Sequence, residues 1–589
     1  MARRLSAGYR RRATDVIATS AALLGILAII TAAVPGQRDH LQDLTGLLPM
    51  PATAAAASVT ALSGLLLLRV AAALRKRKRR AWRLAVAATS AMAVTFVVRE
   101  RDPGGLVVSL ILLGLLWSTR RSFTAGSDPT TRWFALRLFL WSLIAGLGYG
   151  LSALYFSNRV VGNPSFWSRL QEVLFAFVGV NGPVHMRGGG FNTALHVTLL
   201  IVGLTTLLLV ALLILRPPEP VARLSPDEEE RIRALLGDQG KRDSLGYFAT
   251  RRDKSVVWSP TGKAAIAYRV VHGVALASGD PVGDPEAWPG AIAAYRQMVT
   301  EHGWTAAVFG CSELGATVFK REMGLSALAL GDEAIVHIGD FGLQGRSMRG
   351  VRQACTRVER GGYEVRVRRG ADIGPSEWQD VLAAAAAWRG AEVERGFSMA
   401  LSRLGDPADG DCVLVTAYRD GALQGLLHFV PWGRDGLSLD LMRRDRATDN
   451  GLNEYLIVQL IEACPGLGID RVSLNFAVFR DAIERGAKIG AGPFLRSWRR
   501  ILVFASRWWQ IESLYRFNVK FQPEWHPRLV SFPSARDLPR IVLAALEAEA
   551  FLVRPPLLRR LMRHDAECCE PSSPGAVHPS SGPMPSPKS

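Results

Sequence analysis

Residues 411–444 read DCVLVTAYRDGALQGLLHFVPWGRDGLSLDLMRR. Residues 411–432 carry two strand-like apolar runs that predict a hairpin, and SLDLMRR at 438–444 predicts the next strand. Outward from there, a helix is expected at 451–463 and a strand at 471–476. On the N-terminal side, strand-like YEVRVRR (363–369) precedes a helix at 375–388. An earlier cycle is similar: strands within 256–271, a helix at 287–303, a strand at 305–310 and a helix near 312–322. Antiparallel hairpins with intervening helices describe an α+β fold of two successive units, placed at 243–340 and 341–555. Before them, 217–242 is a Pro-broken linker and a short charged helix, which Ser225-Pro226-Asp227-Glu228 opens as a capping box. After them, 556–589 turns Pro/Ser/Gly-rich and is expected to be a disordered tail.

The first 216 residues differ in kind. Apolar stretches at 15–34, 52–74, 84–98, 103–118, 133–155 and 194–215 predict a multi-pass α-helical membrane domain of about six spans. Residues 1–217 carry 24 Lys+Arg against 7 Asp+Glu, whereas 218–589 are nearly balanced. Of the net charge of +19, +17 therefore belongs to the membrane third, and it does not argue for nucleic-acid binding. With the N-terminus inside, the inner segments hold 15 basic residues and the outer ones 6, and the run 75–80 (RKRKRR) fixes the sign. The chain is then a cell-membrane protein with both termini and the α+β region in the cytoplasm. Six cysteines, none spaced C-x-x-C, suit that reducing compartment and exclude a small disulfide scaffold.

From 245 to 555 several blocks carry a resemblance: GDPVGDP (279–285), LGDEAIVHIGDF (330–341), GRSMRGVRQACTRVERGGYEVRVRR (345–369), FVPWGRDGLSLDLMRRDRATDNGLNEYL (429–456), RVSLNFAVFRD (471–481) and SRWWQIESLYRFNVKFQPEWHPR (506–528). In order and together they resemble the phosphatidylglycerol lysyltransferase family, especially its actinobacterial branch. The resemblance implies tandem acetyltransferase-like (GNAT-like) folds. It implies transfer of an aminoacyl group, usually lysyl, from aminoacyl-tRNA to the headgroup of phosphatidylglycerol. The product is a cationic lipid that lowers the binding of cationic antimicrobial peptides. Six spans are too few for the lipid flippase of larger members. Only a Pro/Ser tail follows the transferase region, so a separate synthetase is expected to charge the tRNA. The partners implied are aminoacyl-tRNA, phosphatidylglycerol and the membrane; a homo-oligomer stays open.

The reaction so implied is a transesterification of an activated ester, which calls for no cofactor and no metal. It needs orientation, oxyanion stabilisation, a site for an amino-acid cation and sites for two polyanions. Asp440, a carboxylate inside an apolar strand-like run, suits the ammonium. Glu454, near a helix start, is a second acidic candidate, with helix-terminus bonding as the plain alternative. Asn453 and Asn475 suit orientation of the ester or amine, or a local backbone-bonding role. A helix expected at 344–361 carries Arg346, Arg349, Arg352 and Arg357, a strip suited to phosphates or a solvated face. Arg443 and Arg444, beside Asp440, are further phosphate candidates. Arg496, Arg499 and Trp508 lie in a basic, aromatic stretch suited to a membrane interface or an unpaired acceptor end.

Rival classes find less support. No G-x-x-x-x-G-K-[ST] points to an ATP-driven pump, and no H-E-x-x-H or paired Cys/His cluster points to a metal. A lipid transporter with a regulatory cytoplasmic part is the alternative. A membrane-anchored acetyl-CoA acetyltransferase would need a pyrophosphate loop that is not evident.

Overall fold

The computed structural model describes residues 2–33, 50–75, 78–98, 103–120, 123, 131–177, 182–187, 189–215, 218–390, 394, 396–478 and 511–552. The chain divides into two compact units that part at residues 216/217, the second reaching Val553.

The first unit is helical: α1 (Ala2–Ala33), α2 (Met50–Arg75), α3 (Arg79–Val98), α4 (Pro103–Ser118), α5 (Thr131–Tyr155), α6 (Phe166–Ala176) and α7 (Gly189–Ile214). Each stretch expected to cross a membrane falls on one of these helices. Among the described residues, two helical stretches are long and apolar enough to do so, Phe134–Tyr155 and Ala194–Ala211. Asp15–Ile30 and Gly104–Ser118 are apolar but shorter. The basic run has a local task beyond its sign. Lys78, 2% exposed, donates its Nζ to Leu215 O, and Arg80 donates to Ile214 O at 3.3 Å. Cations thus meet the carbonyls left unpaired at the C-terminus of α7.

Helices α1 and α2 approach through glycine. A Cβ on Gly64 would stand 2.7 Å from Gly25 O, and one on Gly25 would stand 2.6 Å from Gly64 O. Small residues let helix backbones close in this way. Gly64→Leu should therefore force the pair apart at a cost of about 1–3 kcal/mol. The check is the folded yield and thermal transition of the full chain in detergent, with Gly114→Leu, at an open position, as the tolerated control.

The second unit is α+β. Its helix α8 (Pro226–Gln239) starts at Ser225, whose Oγ and the Glu228 carboxylate form the reciprocal capping box. A 12-stranded sheet follows. Its first part comprises β1 (Ser255–Trp258), β2 (Ala264–Val271), β3 (Val274–Ser278), β4 (Val282–Gly283) and β5 (Thr305–Cys311), with α9 (Trp288–His302) and α10 (Glu313–Met323). Then come β6 (Ser326–His337), α11 (Arg349–Arg360), β7 (Glu364–Arg369), α12 (Pro375–Arg389), β8 (Val413–Arg419), β9 (Ala422–Trp432), β10 (Gly436–Arg444), α13 (Leu452–Leu467), β11 (Arg471–Val478), α14 (Ile511–Val519), β12 (Glu524–Phe532) and α15 (Leu538–Ala548). The strand order is β1-β2-β3-β5-β12-β6-β11-β10-β9-β8-β7, with β4 on β2.

The sheet has no break near residue 340. β12, far along the chain from β5 and β6, pairs antiparallel with both of them, joining the early strands to the late ones. The helix expected at 344–361 is shorter, Arg349–Arg360, so Arg346 precedes it.

Side chains alternate across a strand, so the two faces of the late strands can be read directly. Val413, Val415, Leu427 and Phe429 pack with α11 and α13. Leu414 and Leu426 point the other way, onto Val381 and Ala385 of α12. The face under α12 carries the site.

Candidate functional site

Strands β9 and β10 pair with Leu439 opposite Phe429 and Leu441 opposite His428. Asp440 is the extra residue between them. Such a bulge re-aims a side chain that a regular ladder would hold flat. The next strand adds to the effect. β11 runs parallel to β10 only from Gly436–Ser438 against Arg471–Ser473, after which the pairing ends. Asn475 stands at this opening in the left-handed region (φ 71°) and donates its Nδ2 to Leu439 O at 3.0 Å and Met399 O at 3.4 Å.

Asp440 is almost fully enclosed, its side chain 4% exposed. Oδ1 accepts the Leu401 N–H at 2.6 Å, and Oδ2 faces His428 Nδ1 at 2.7 Å. Burial alone would push the His428 imidazolium down. The bond to Asp440 and the neighbouring Cys412 outweigh it and hold the group up at about 10. His428 is thus an imidazolium at neutral pH, and a carboxylate that accepts two bonds keeps lone pairs for a third donor.

Stability should follow this pair. His428 is raised in the folded state from an ordinary 6.5. Its contribution is full below about pH 6.5 and is lost as pH rises through about 10. Thermal unfolding of the full chain should show this alkaline loss, and His428→Asn, which keeps a donor but no charge, should flatten it.

Asp440 lines a cavity of ≈ 460 Å³ with Trp388, Arg389, Glu394, Ala400, Ser402, Arg403, Leu404, Leu441, Met442, Arg443, Arg444 and Arg446. Arg443 donates to Ala385 O at 2.9 Å and to Glu394 at 3.1 Å, and Glu394 also meets Arg389 at 3.3 Å. Arg444 is held by Thr448 Oγ1 at 2.8 Å. Arg403 is already neutralised by Asp409 at 2.6 Å and Glu229 at 3.0 Å. Glu394 therefore answers two guanidinia, and Arg444 and Arg446 have no carboxylate partner among the described residues. The cavity is positive, with one enclosed carboxylate at its bulge.

The wall segment 396–403 is held by long-range bonds. Glu549 accepts the N–H of Phe397 at 2.7 Å and of Ser398 at 3.2 Å, and Arg251 donates to Ala400 O at 2.8 Å.

The sequence candidates fall into separate groups. Asp440, Arg443 and Arg444 share the cavity, and Asn475 stands at the strand opening beside it. Glu454 and Asn453 are on α13, against the other face of the sheet. Glu454 is paired with Lys520 at 2.6 Å, and Asn453 Oδ1 is buried with no partner among the described residues. Arg352 donates to Leu343 O and Gly345 O, and Arg357 to Asn450 O at 3.3 Å. Arg346 and Arg349 are exposed, with no ion pair among the described residues. Arg496, Arg499 and Trp508 lie outside the described residues. Residues not singled out from sequence are His428, Arg389, Glu394 and Arg446. A regular hairpin turning at Gly433–Asp435, counted without the bulge, would pair His428 with Asp440, and that register is the available signal. Among the described residues no group of three or more His, Cys, Asp and Glu is arranged to hold a metal ion.

A family model described as phosphatidylglycerol lysyltransferase, C-terminal, matches residues 233–531, half of the chain and all of this cavity. The chain belongs to that family. It is 46% identical over 507 residues to the lysylphosphatidylglycerol biosynthesis bifunctional protein LysX of Rhodococcus opacus, covering 84% of this chain and 45% of that one. It is 44% identical over 562 residues to LysX of Mycolicibacterium gilvum, covering 92% and 49%. The chain thus spans about half the length of the curated relatives it matches. The structure of L-PGS from Bacillus licheniformis aligns with a TM-score of 0.49 at 19% identity, over 57% of this chain and 100% of that chain.

Proposed function

We propose that the chain is an aminoacyltransferase of lipids. It moves an aminoacyl group, lysyl in the first instance, from aminoacyl-tRNA to the headgroup hydroxyl of phosphatidylglycerol at the inner face of the membrane. The observation that carries this reading is the positive cavity with Asp440 enclosed at its bulge, within a unit that the lysyltransferase family covers. The lipid hydroxyl oxygen attacks the ester carbonyl carbon. A new ester C–O bond forms, the bond to the tRNA ribose oxygen breaks, and the hydroxyl proton ends on that ribose oxygen. Asp440 holds the substrate ammonium through the lone pairs that Leu401 and His428 leave open, while Arg443, Arg444 and Arg446 hold phosphate. Positioning of the two substrates supplies most of the acceleration.

The first unit spans the membrane six times, with both ends in the cytoplasm. The catalytic region is a tandem of acetyltransferase-like units, 243–340 and 341–555. The cationic product shields the cell from cationic peptides. The exposed Arg346 and Arg349 offer a docking face for the tRNA backbone.

The test is transfer by the purified full chain in vesicles. Label from lysyl-tRNA should pass to lipid in phosphatidylglycerol vesicles and not in phosphatidylcholine vesicles, and ribonuclease treatment of the donor should stop it. Equal labelling from free lysine and ATP, or none from lysyl-tRNA, would overturn the reading.

A further inference from the structure

The segment joining the two long apolar stretches of the first unit has no part in that reaction. The first of them ends at Tyr155 and the second begins at Ala194. Between them the chain builds a defined piece. Val161 N–H donates to His185 O at 2.9 Å and Arg187 N–H to Arg159 O at 2.7 Å, making a short antiparallel ribbon. Helix α6 follows the ribbon's first limb, capped by Ser165.

Its inner side is fixed by burial. Glu172 is 1% exposed; its Oε1 meets His196 Nε2 at 2.8 Å and its Oε2 accepts the Val184 N–H at 2.9 Å. Gly182 passes so closely that a Cβ there would stand 2.4 Å from Oε2. One carboxylate therefore ties α6, the second limb of the ribbon and α7 together.

The outer side is of opposite character. Phe156 is 86% exposed, Trp167 69% and Phe166 55%. His185 and Arg187, on the ribbon, are exposed as well. Large exposed apolar rings, of which Phe166 and Trp167 stand edge to face at 6.1 Å, mark an interaction surface. Their place, where two apolar helical stretches end, is where a bilayer changes from acyl chain to headgroup, and aromatic rings favour that layer. Cationic side chains there favour anionic lipid.

We propose that residues 156–177 and 182–187 form an interfacial module seated in the headgroup layer, with the aromatic side among the upper acyl chains and Arg187 and His185 on the phosphates of anionic phospholipid.

The experiment places an NBD label at Trp167→Cys in the full chain, reconstituted in vesicles. Ile144→Cys, mid-helix and exposed, is the deep reference. Lipids carrying shallow or deep spin labels quench each in turn. The module predicts that the Trp167→Cys label is quenched at least about twofold more by shallow than by deep lipid, with the order reversed at Ile144→Cys. Adding phosphatidylglycerol to phosphatidylcholine should raise the shallow quenching, and His185→Gln with Arg187→Gln should remove that rise. A water-exposed label, open to an aqueous quencher and indifferent to lipid quenchers, would overturn the proposal, as would deep quenching at both sites. Identical quenching with and without phosphatidylglycerol would overturn the assignment to anionic lipid. These readouts need no transferase activity, so they stand or fall apart from the function proposed above.

Discussion

Asp440→Ala should lower lipid aminoacylation by about a hundredfold or more in kcat/KM, the scale for loss of a charged group that acts inside an enclosed site. Three consequences converge at this residue. The cavity loses the carboxylate aimed into it by the bulge. The Leu401 N–H loses its acceptor, so segment 396–403 is freed at its centre. The His428 imidazolium, its side chain 3% exposed, loses its counter-charge and must give up its proton. Asp440→Asn separates these effects: it keeps an acceptor for Leu401 but cannot balance a protonated imidazole. It should restore most of the thermal stability that alanine loses while leaving transfer low. Side-by-side kinetics and thermal unfolding of the two variants are the check. Wild-type transfer by folded Asp440→Ala would remove the residue from the site.

The largest effect on folding is expected at Arg528. It sits on β12, where the early and late strands join. Its guanidinium donates to Glu333 at 2.8 Å, Asp243 at 2.8 Å, Ser244 Oγ at 2.6 Å and Gly310 O at 3.3 Å. Glu333 is 1% exposed and also accepts from the hydroxyls of Ser244 and Ser473. Nearby Asp280 is already pushed up to about 6, first by burial and then by the Asp243 charge. Arg528→Leu would leave these carboxylates buried without their cation, at a cost of about 3–5 kcal/mol. Denaturant unfolding of the full chain should show that loss. Adding Glu333→Leu should recover part of it, because the stranded charge goes with its partner. A loss no larger in the single variant than in the double one would show that the cation is not what joins the strands.

Much of this fold is legible along the chain, and the exceptions have physical causes. The hairpin at 411–432 is plain because its apolar residues recur without interruption and turn chemistry bounds them. β12 is not, since EWHPRLVSF carries His526, Pro527 and Arg528 where a strand pattern expects alternation. It is a strand because β5 and β6 flank it and Glu333 waits for Arg528. α6 escapes notice because its polar half, Ser168 to Glu172, masks an apolar half turned to the outside. In the site, Asp440, Arg443 and Arg444 stand close together in one strand and could be singled out. Arg389 and Glu394 reach the cavity from the end of α12 and the loop after it, a meeting that only the packing of α12 on the sheet creates. For α11, the sequence gives a basic helix but not the face of the sheet it covers, and that face is opposite to the cavity.

The central claim is tested most directly by the lipids of a bacterial host that makes no aminoacylated lipid and expresses the full chain. Mass spectrometry of its total lipid extract should show a new adduct of phosphatidylglycerol whose added mass is that of a lysyl residue, absent with Asp440→Ala. Folded protein in the membrane with no adduct on any lipid would contradict the account.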